Sequence, residues 1–301
     1  MGTESIPILL GYPTVLDYLQ DDCYMGAIVG RFANRIGGAT FSLEDHEYTL
    51  EKNDGANTNH GGYSGFHSKI WKGSYEGNKI VFRLSSAHLE GGYPGNVEVT
   101  VSYSFTSDGM VSIDFDGVSD RLTVLNLTNH AYFNLAGKGD ILQHRVTIPS
   151  SYILETNAEF IPSGGILPVE ATEFDFRYGK NIGKDIEKQT QQLEWNRGYN
   201  HCYVFSLYDE RKMKWTASVY EPKSRRKLDV FTTYPGVLFY SSGYLSSQIV
   251  GKQGYKYTPM CGFCLETQYF PDFPNHSEFP QGVVFPEKPY HHTTLYKLSV
   301  V

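Results

Sequence analysis

The stretch Asn126-Leu-Thr-Asn-His-Ala-Tyr-Phe-Asn-Leu-Ala-Gly137 sets one titratable side chain, His130, among amides, a hydroxyl and aromatic rings. The run before it, residues 122–127, is mostly branched and apolar and reads as a buried strand. Gly137 and Gly139 read as a turn. His130 is therefore expected near the end of a buried strand. An imidazole there is either a hydrogen-bonded core residue or a group that takes and gives protons near neutral pH. The choice depends on whether the rest of the chain supplies partners.

Outward from this stretch, period-two alternation recurs. Residues 81–85, 97–105 and 110–115 alternate, with turns at Gly91-Gly-Tyr-Pro-Gly95 and Thr106-Ser-Asp-Gly109. Residues 41–50 read as a hairpin around Asp45-His46. Further strands are expected at 145–149, 152–155, 201–205, 215–220, 227–233, 237–240, within 261–270 and at 291–300. Helix signals are few: a turn over 13–20 capped by Thr14, and a short polar segment over 181–193. Many short strands with few short helices predict an all-β fold, a large antiparallel β-sandwich, as one domain over residues 1–301. No 20–50-residue repeat is present.

The 301 residues are 40% hydrophobic and 15% aromatic, ample for a large core. Net charge is -7, with 33 acidic and 26 basic residues and no basic cluster, which argues against nucleic acid. The densest basic run, Lys223-Ser-Arg-Arg-Lys227, reads as a solvated turn. No apolar run is long enough to cross a membrane, and the first residues lack the pattern of a signal peptide. A cytoplasmic protein without a membrane partner is the expectation. Of the four cysteines, Cys23 and Cys202 read as buried, reduced thiols. Cys261-Gly-Phe-Cys264 has the spacing of half a zinc site, but no second pair completes it. On a strand the two sulfurs would face opposite sides, so no metal is expected.

Three further segments carry chemistry. Asn34 and Arg35 end a run of small and apolar residues. They suit a hydroxyl-rich ligand, or Arg35 merely pins a carboxylate. His60 lies in the loop Asn57-Thr-Asn-His-Gly-Gly-Tyr-Ser-Gly-Phe66, where it is functional or only ties the loop together. Glu266 follows the apolar Gly262-Phe-Cys-Leu265. A carboxylate at the end of a buried strand is costly unless paired, for example with Arg35. If Asn34, Arg35, His60, His130 and Glu266 converge, they make an acid–base site with no phosphate loop, nucleophile elbow or metal cage.

Taken together, Gly30-Arg-Phe-Ala-Asn-Arg-Ile36, Asn59-His-Gly-Gly62, the 126–137 stretch and Phe263-Cys-Leu-Glu-Thr-Gln268 resemble the galactose mutarotase, or aldose 1-epimerase, family. The turn Glu90-Gly-Gly-Tyr-Pro-Gly95 and the ending His292-Thr-Thr294 match as well, so the resemblance runs in order over nearly the whole chain. It implies a β-supersandwich, no cofactor, and interconversion of the α and β anomers of free aldohexoses such as galactose and glucose. Glu266 would be the general base at the C1 hydroxyl and His130 the general acid at the ring oxygen. His60 would stabilise charge near that oxygen, and Asn34 with Arg35 would bind sugar oxygens.

Three departures from the family stand out. Asn200 replaces an aspartate that grips a sugar hydroxyl, and Leu238 replaces a glutamine that also contacts sugar. An amide still accepts a hydrogen bond, but a charge-assisted one is roughly twice as strong. The family's additional N-terminal strands, before the segment matching Ile8-Leu-Leu-Gly11, are missing here, which would expose a sheet edge or part of the core. The resemblance thus implies an active mutarotase with altered sugar preference, with a non-catalytic sugar-binding or interaction protein as the alternative. Oligomeric state stays open.

Overall fold

The computed structural model describes residues 6–205 and 212–301. Two antiparallel sheets dominate them. The larger has nine strands in the order Lys180–Asn181, Arg145–Thr147, Lys214–Glu221, Arg226–Thr232, Tyr290–Val300, Val111–Ser119, Val97–Phe105, Lys79–Ser86 and Lys72–Glu76. The smaller has five, in the order Pro162–Pro168, Tyr152–Thr156, Asn200–Val204, Gly236–Tyr240 and Cys264–Gln268. The alternation read from the sequence explains the larger sheet: Val97, Val99 and Val101 point inward while Glu98 is exposed.

One apolar cluster joins the sheets into a sandwich. It takes Val99, Phe115, Val219 and Val230 from the large sheet and Leu154, Val237, Phe239 and Leu265 from the small one. A hydroxyl pair, Thr267 Oγ1 to Thr294 Oγ1 at 2.6 Å, crosses between them. Leu265 and Thr267 therefore face the large sheet. By the two-residue period of a strand, Cys264 and Glu266 face the other way. That second face is also buried, because the segments carrying the sequence motifs pack over it.

Those segments pair in two-residue strands, Ile28–Val29 with Thr128–Asn129 and Arg35–Ile36 with Thr58–Asn59, and side chains staple the rest. Asn126 Oδ1 accepts from the Tyr269 N–H at 2.9 Å, while its Nδ2 donates to the Ala33 carbonyl at 3.2 Å. Asn134 Nδ2 donates to the carbonyls of Gly139 and Cys261 at 2.9 and 3.0 Å. Arg31, 2% exposed, donates to the carbonyls of Pro94, Gly95 and Ala87 and to Ser86 Oγ, tying its segment to the Glu90–Gly95 turn. These side chains supply the partners that buried backbone needs where no ladder exists.

The structure differs from the sequence reading in several places. Residues 123–127 are buried, but only Thr123–Val124 form a strand, because the N–H groups of Leu125, Asn126 and Leu127 donate to the Gly282 carbonyl, the Arg31 carbonyl and Tyr290 Oη. Residues 181–193 do not make one helix. Ile182 and Gly183 donate to the carbonyls of His144 and Leu142, which holds that backbone at the edge of the large sheet. A 3-10 turn Ile182–Lys184 results, and the α-helix is Gln191–Asn196. The other helix, Val15–Tyr18, carries the expected Thr14 cap as a capping box with Asp17. Hairpin 41–50 forms from Thr40–Leu43 and His46–Thr49. Cys261 lies outside the strand, and it packs in the same small cluster as Cys264 instead of being separated from it. Cys23 is only half-buried. Among the described residues, no helix is long and apolar enough to cross a membrane.

Candidate active site

The outward face of the small sheet forms the floor of a cavity of about 330 Å³. Registered partners on antiparallel strands share a face. Glu266 pairs with Leu238, Leu238 with Cys202, and one step along, Cys264 pairs with Tyr240 and Tyr240 with Asn200. Asn200, Leu238, Tyr240 and Glu266 all line the cavity. Glu266 lies mid-strand rather than at a strand end, and it is 1% exposed.

Asn34, Arg35, His60 and His130 line the same cavity. His130 follows the two-residue strand Thr128–Asn129, which pairs with Ile28–Val29. Its own N–H donates to the Ala27 carbonyl at 2.9 Å, and its carbonyl accepts from Gly26 at 3.0 Å. Nε2 of His130 comes within 3.7 Å of Glu266 Oε1, and Nδ1 within 3.6 Å of Cys264 Sγ. His60 and Asn34 clasp each other. The Asn34 N–H donates to His60 Nδ1 at 3.2 Å, and the His60 N–H donates to the Asn34 carbonyl at 3.1 Å. Gly61 follows because a Cβ there, at φ +86°, would collide with the Gly30 carbonyl. Arg35 does not pair with Glu266. Its Nε donates to Asp54 Oδ2 at 2.6 Å, and its guanidinium lies 4.8 Å from the Phe160 ring centre. That arrangement leaves the outer guanidinium nitrogens to a ligand.

Burial dominates the electrostatics. It pushes the Glu266 carboxyl up to about 8, with the Arg35 charge pulling the other way. It pulls His130 down to about 4 and His60 well below its ordinary range. The 3.7 Å approach of His130 to Glu266 is therefore not an ion pair. The proton sits on Glu266 and the imidazole is neutral. At that separation the two groups do not satisfy each other, and Glu266 Oε2 has no hydrogen-bond partner. A buried carboxyl left this way is a group that waits for a ligand.

His60, His130 and Glu266 offer ligand atoms within 4.8 Å of one another, a donor set of the kind zinc takes. The hydrogen bond from Asn34 decides against a cation. It uses the His60 Nδ1 lone pair, so Nε2 carries the proton and has no lone pair to give. The group is arranged to donate and accept protons. A second carboxylate and thiol group, Asp21, Asp22 and Cys23, is turn chemistry. Asp21 already accepts from Tyr12 Oη, Cys23 N–H and Met25 N–H.

Residues 2–297 match the family described as aldose 1-epimerase. The chain is 39% identical over 299 residues to galactose mutarotase of Rattus norvegicus, covering 99% of this chain and 85% of that protein. The chain belongs to the aldose 1-epimerase family. It is also 33% identical over 279 residues to aldose 1-epimerase of Escherichia coli, covering 92% of this chain and 80% of that one. Among solved structures, an aldose epimerase homologue from C. elegans superposes with a TM-score of 0.89 at 27% identity, over 98% of this chain and 88% of the other. Galactose 1-epimerase from Lactobacillus acidophilus superposes with a TM-score of 0.84 at 23% identity, a likeness of fold.

The site draws on more residues than the motifs name. Tyr24 lies 4.6 Å from the His60 ring and 5.9 Å from that of His130, and Asp54 holds Arg35. Phe160 and Tyr240 complete the walls. Neither Tyr24 nor Asp54 stood out in the sequence, although each flanks a quoted motif. His292 of the closing motif lies elsewhere. It is buried between Thr233 and Tyr269 and stacked on Tyr234, which is a packing role.

Proposed function

We propose that this protein is an aldose 1-epimerase that interconverts the α and β anomers of free aldohexoses such as galactose and glucose. The observation that carries the reading is the buried His130–Glu266 pair, 3.7 Å apart at the cavity. Ring opening of a hemiacetal needs such a pair. The C1 hydroxyl loses its proton as the C1–O5 bond breaks, and O5 gains one.

In this reading sugar binding moves the shared proton from Glu266 to His130, so that the chemistry starts with Glu266 ionised and His130 protonated. Glu266 takes the proton from O1, C1=O1 forms, the C1–O5 bond breaks, and His130 Nε2 gives its proton to O5. The open aldehyde rotates about C1–C2. The reverse transfers close the ring on the other face and return both groups to their starting state. His60, a fixed Nε2–H donor, stabilises charge near O5. Arg35, Asn34 and Asn200 hold the remaining hydroxyls, and the cavity is at the small end of the roughly 300–1,000 Å³ typical of ligand pockets, as suits one sugar ring. No cofactor is required. The chain works as one domain, and its four unpaired cysteines suit a reducing cytoplasm.

Polarimetry on freshly dissolved α-D-galactose and α-D-glucose tests this. The protein should speed mutarotation, and Glu266→Gln and His130→Asn should each abolish the acceleration. Folded protein that leaves both sugars at their spontaneous rates would remove aldohexose epimerisation from the reading.

A further inference from the structure

The imidazole of His130 is approached at both nitrogens by one strand. Glu266 approaches Nε2 at 3.7 Å, and Cys264, two residues earlier on the same face, approaches Nδ1 at 3.6 Å. Cys264 is fully buried. The faces of the ring are taken by Tyr132 and Tyr24, with Tyr240 and His60 edge-on. Cys264 is therefore the side chain aligned with the one nitrogen that does not face Glu266.

We propose that Cys264 is a positioning residue for the general acid: its sulfur accepts the Nδ1–H of His130 and so keeps the mobile proton at Nε2. This rests on the reading of His130 as the acid. The reaction moves the Nε2 proton on and off, and Nδ1 keeps its proton throughout. A sulfur acceptor is satisfied in both states. A thiol accepts only weakly, which matters here. A carboxylate at the same place would hold the imidazolium as an ion pair and make it a reluctant acid. The sulfur orients the ring without adding a second buried charge beside Glu266.

The thiol side is also dry. Cys264 packs with Leu10, Tyr12, Met25, Tyr132 and Cys261, so no solvent competes for Nδ1. Removing the sulfur leaves Nδ1–H buried without this acceptor. With only its own backbone carbonyl left as a partner there, the imidazole shifts toward the other tautomer, with its proton at Nε2 and a lone pair at Nδ1.

Two variants and two readouts test the proposal. Long-range proton–nitrogen NMR reports the His130 tautomer directly, and polarimetry reports kcat and KM. Wild type should show Nδ1 protonated. Cys264→Ala should shift the neutral ring toward the Nε2–H tautomer and lower kcat about tenfold, part of the roughly 10²–10⁴ a general acid supplies, with KM within about twofold. Cys264→Ser, whose hydroxyl also accepts, should restore the tautomer and most of kcat. An alanine variant with the wild-type tautomer and kcat overturns the proposal, as does a wild-type ring protonated at Nε2. If the alanine variant does not fold, the wild-type and serine spectra still decide. Because the NMR readout needs no turnover, absence of epimerase activity would count against the reaction and not against the Cys264–His130 contact.

Discussion

Replacing Glu266 by glutamine should abolish catalysis and, at the same time, stabilise the fold by an amount that grows with pH. The Glu266 carboxyl titrates at about 8 in the folded protein against an ordinary 4.5. The folded state therefore binds this proton more tightly than the unfolded state does. Below 4.5 both states are protonated and the group costs nothing. Between 4.5 and 8 only the unfolded chain ionises, so stability falls by about 1.4 kcal/mol for each step of one in pH. Above 8 both states are ionised and the cost levels off. Integrated, the loss is about 2 kcal/mol by pH 6 and about 4 kcal/mol by pH 8. Glutamine has the same shape and no titration. Its amide meets a site where Oε2 had no partner, which adds an offset of about 1–3 kcal/mol. That offset does not vary with pH, so the slope carries the argument. Urea unfolding of both proteins at several values between about pH 5 and 8 gives it by linear extrapolation. The advantage of Glu266→Gln should widen by about 3 kcal/mol across that range. A difference that stays flat would refute the claim that burial holds the carboxyl protonated.

The same pair governs the rate. Between about 4 and 8 the His130–Glu266 pair holds one proton, so kcat/KM should plateau there; a second proton below 4 leaves no base, and loss of the shared proton above 8 leaves no acid. A pH–rate profile that rises through pH 7 as a single ordinary histidine would contradict this. His130→Asn should cost about 10²–10⁴ in kcat with little change in KM, read by polarimetry. Asn200→Asp should lower KM several-fold without changing kcat, since it places a charged acceptor in the cavity, where charge-assisted bonds are roughly twice as strong; an unchanged KM would mean that the position does not touch sugar. Arg31→Met should destabilise by about 3 kcal/mol or more in chemical unfolding, because it strands three buried acceptors and a fourth, part-buried one at once.

The sandwich was legible because alternation and burial coincide. Val97–Phe105 and Tyr290–Val300 each pair with Val111–Ser119 between them, and there period two is the whole signal. The 122–127 run misled in detail because its backbone from residue 125 on donates to Gly282, Arg31 and Tyr290, all far off in sequence. The 181–193 segment misled because Leu142 and His144 capture its backbone, and a local pattern does not show that contact. The convergence of Asn34, Arg35, His60, His130 and Glu266 at one cavity was proposed from residue type alone. The choice of partners was not legible. Arg35 goes to Asp54 and not to Glu266, and Cys264 meets His130 through strand parity that only the register of Cys264–Gln268 fixes.

The cavity is also where the fold opposes itself. Tyr24, Asn34, His60 and Phe160 line it, and all four have left-handed backbones, at φ of 56°, 65°, 53° and 64°. Asparagine adopts that conformation readily, whereas tyrosine, histidine and phenylalanine each do so at a cost of about 1–2 kcal/mol. Added to the buried carboxyl of Glu266, several kcal/mol of unfavourable energy are concentrated within one small volume. The opposing terms lie just behind it. Arg31, Asn126 and Asn134 satisfy carbonyls that no ladder reaches; Arg31 shares the Gly30–Ile36 motif with Asn34, and Asn126 and Asn134 flank His130 in theirs. The motifs therefore encode two things together: groups placed at a cost in stability, and the hydrogen-bonded staples that keep them there. That division explains why Arg31, which lines no cavity, is as deeply buried as the residues that do.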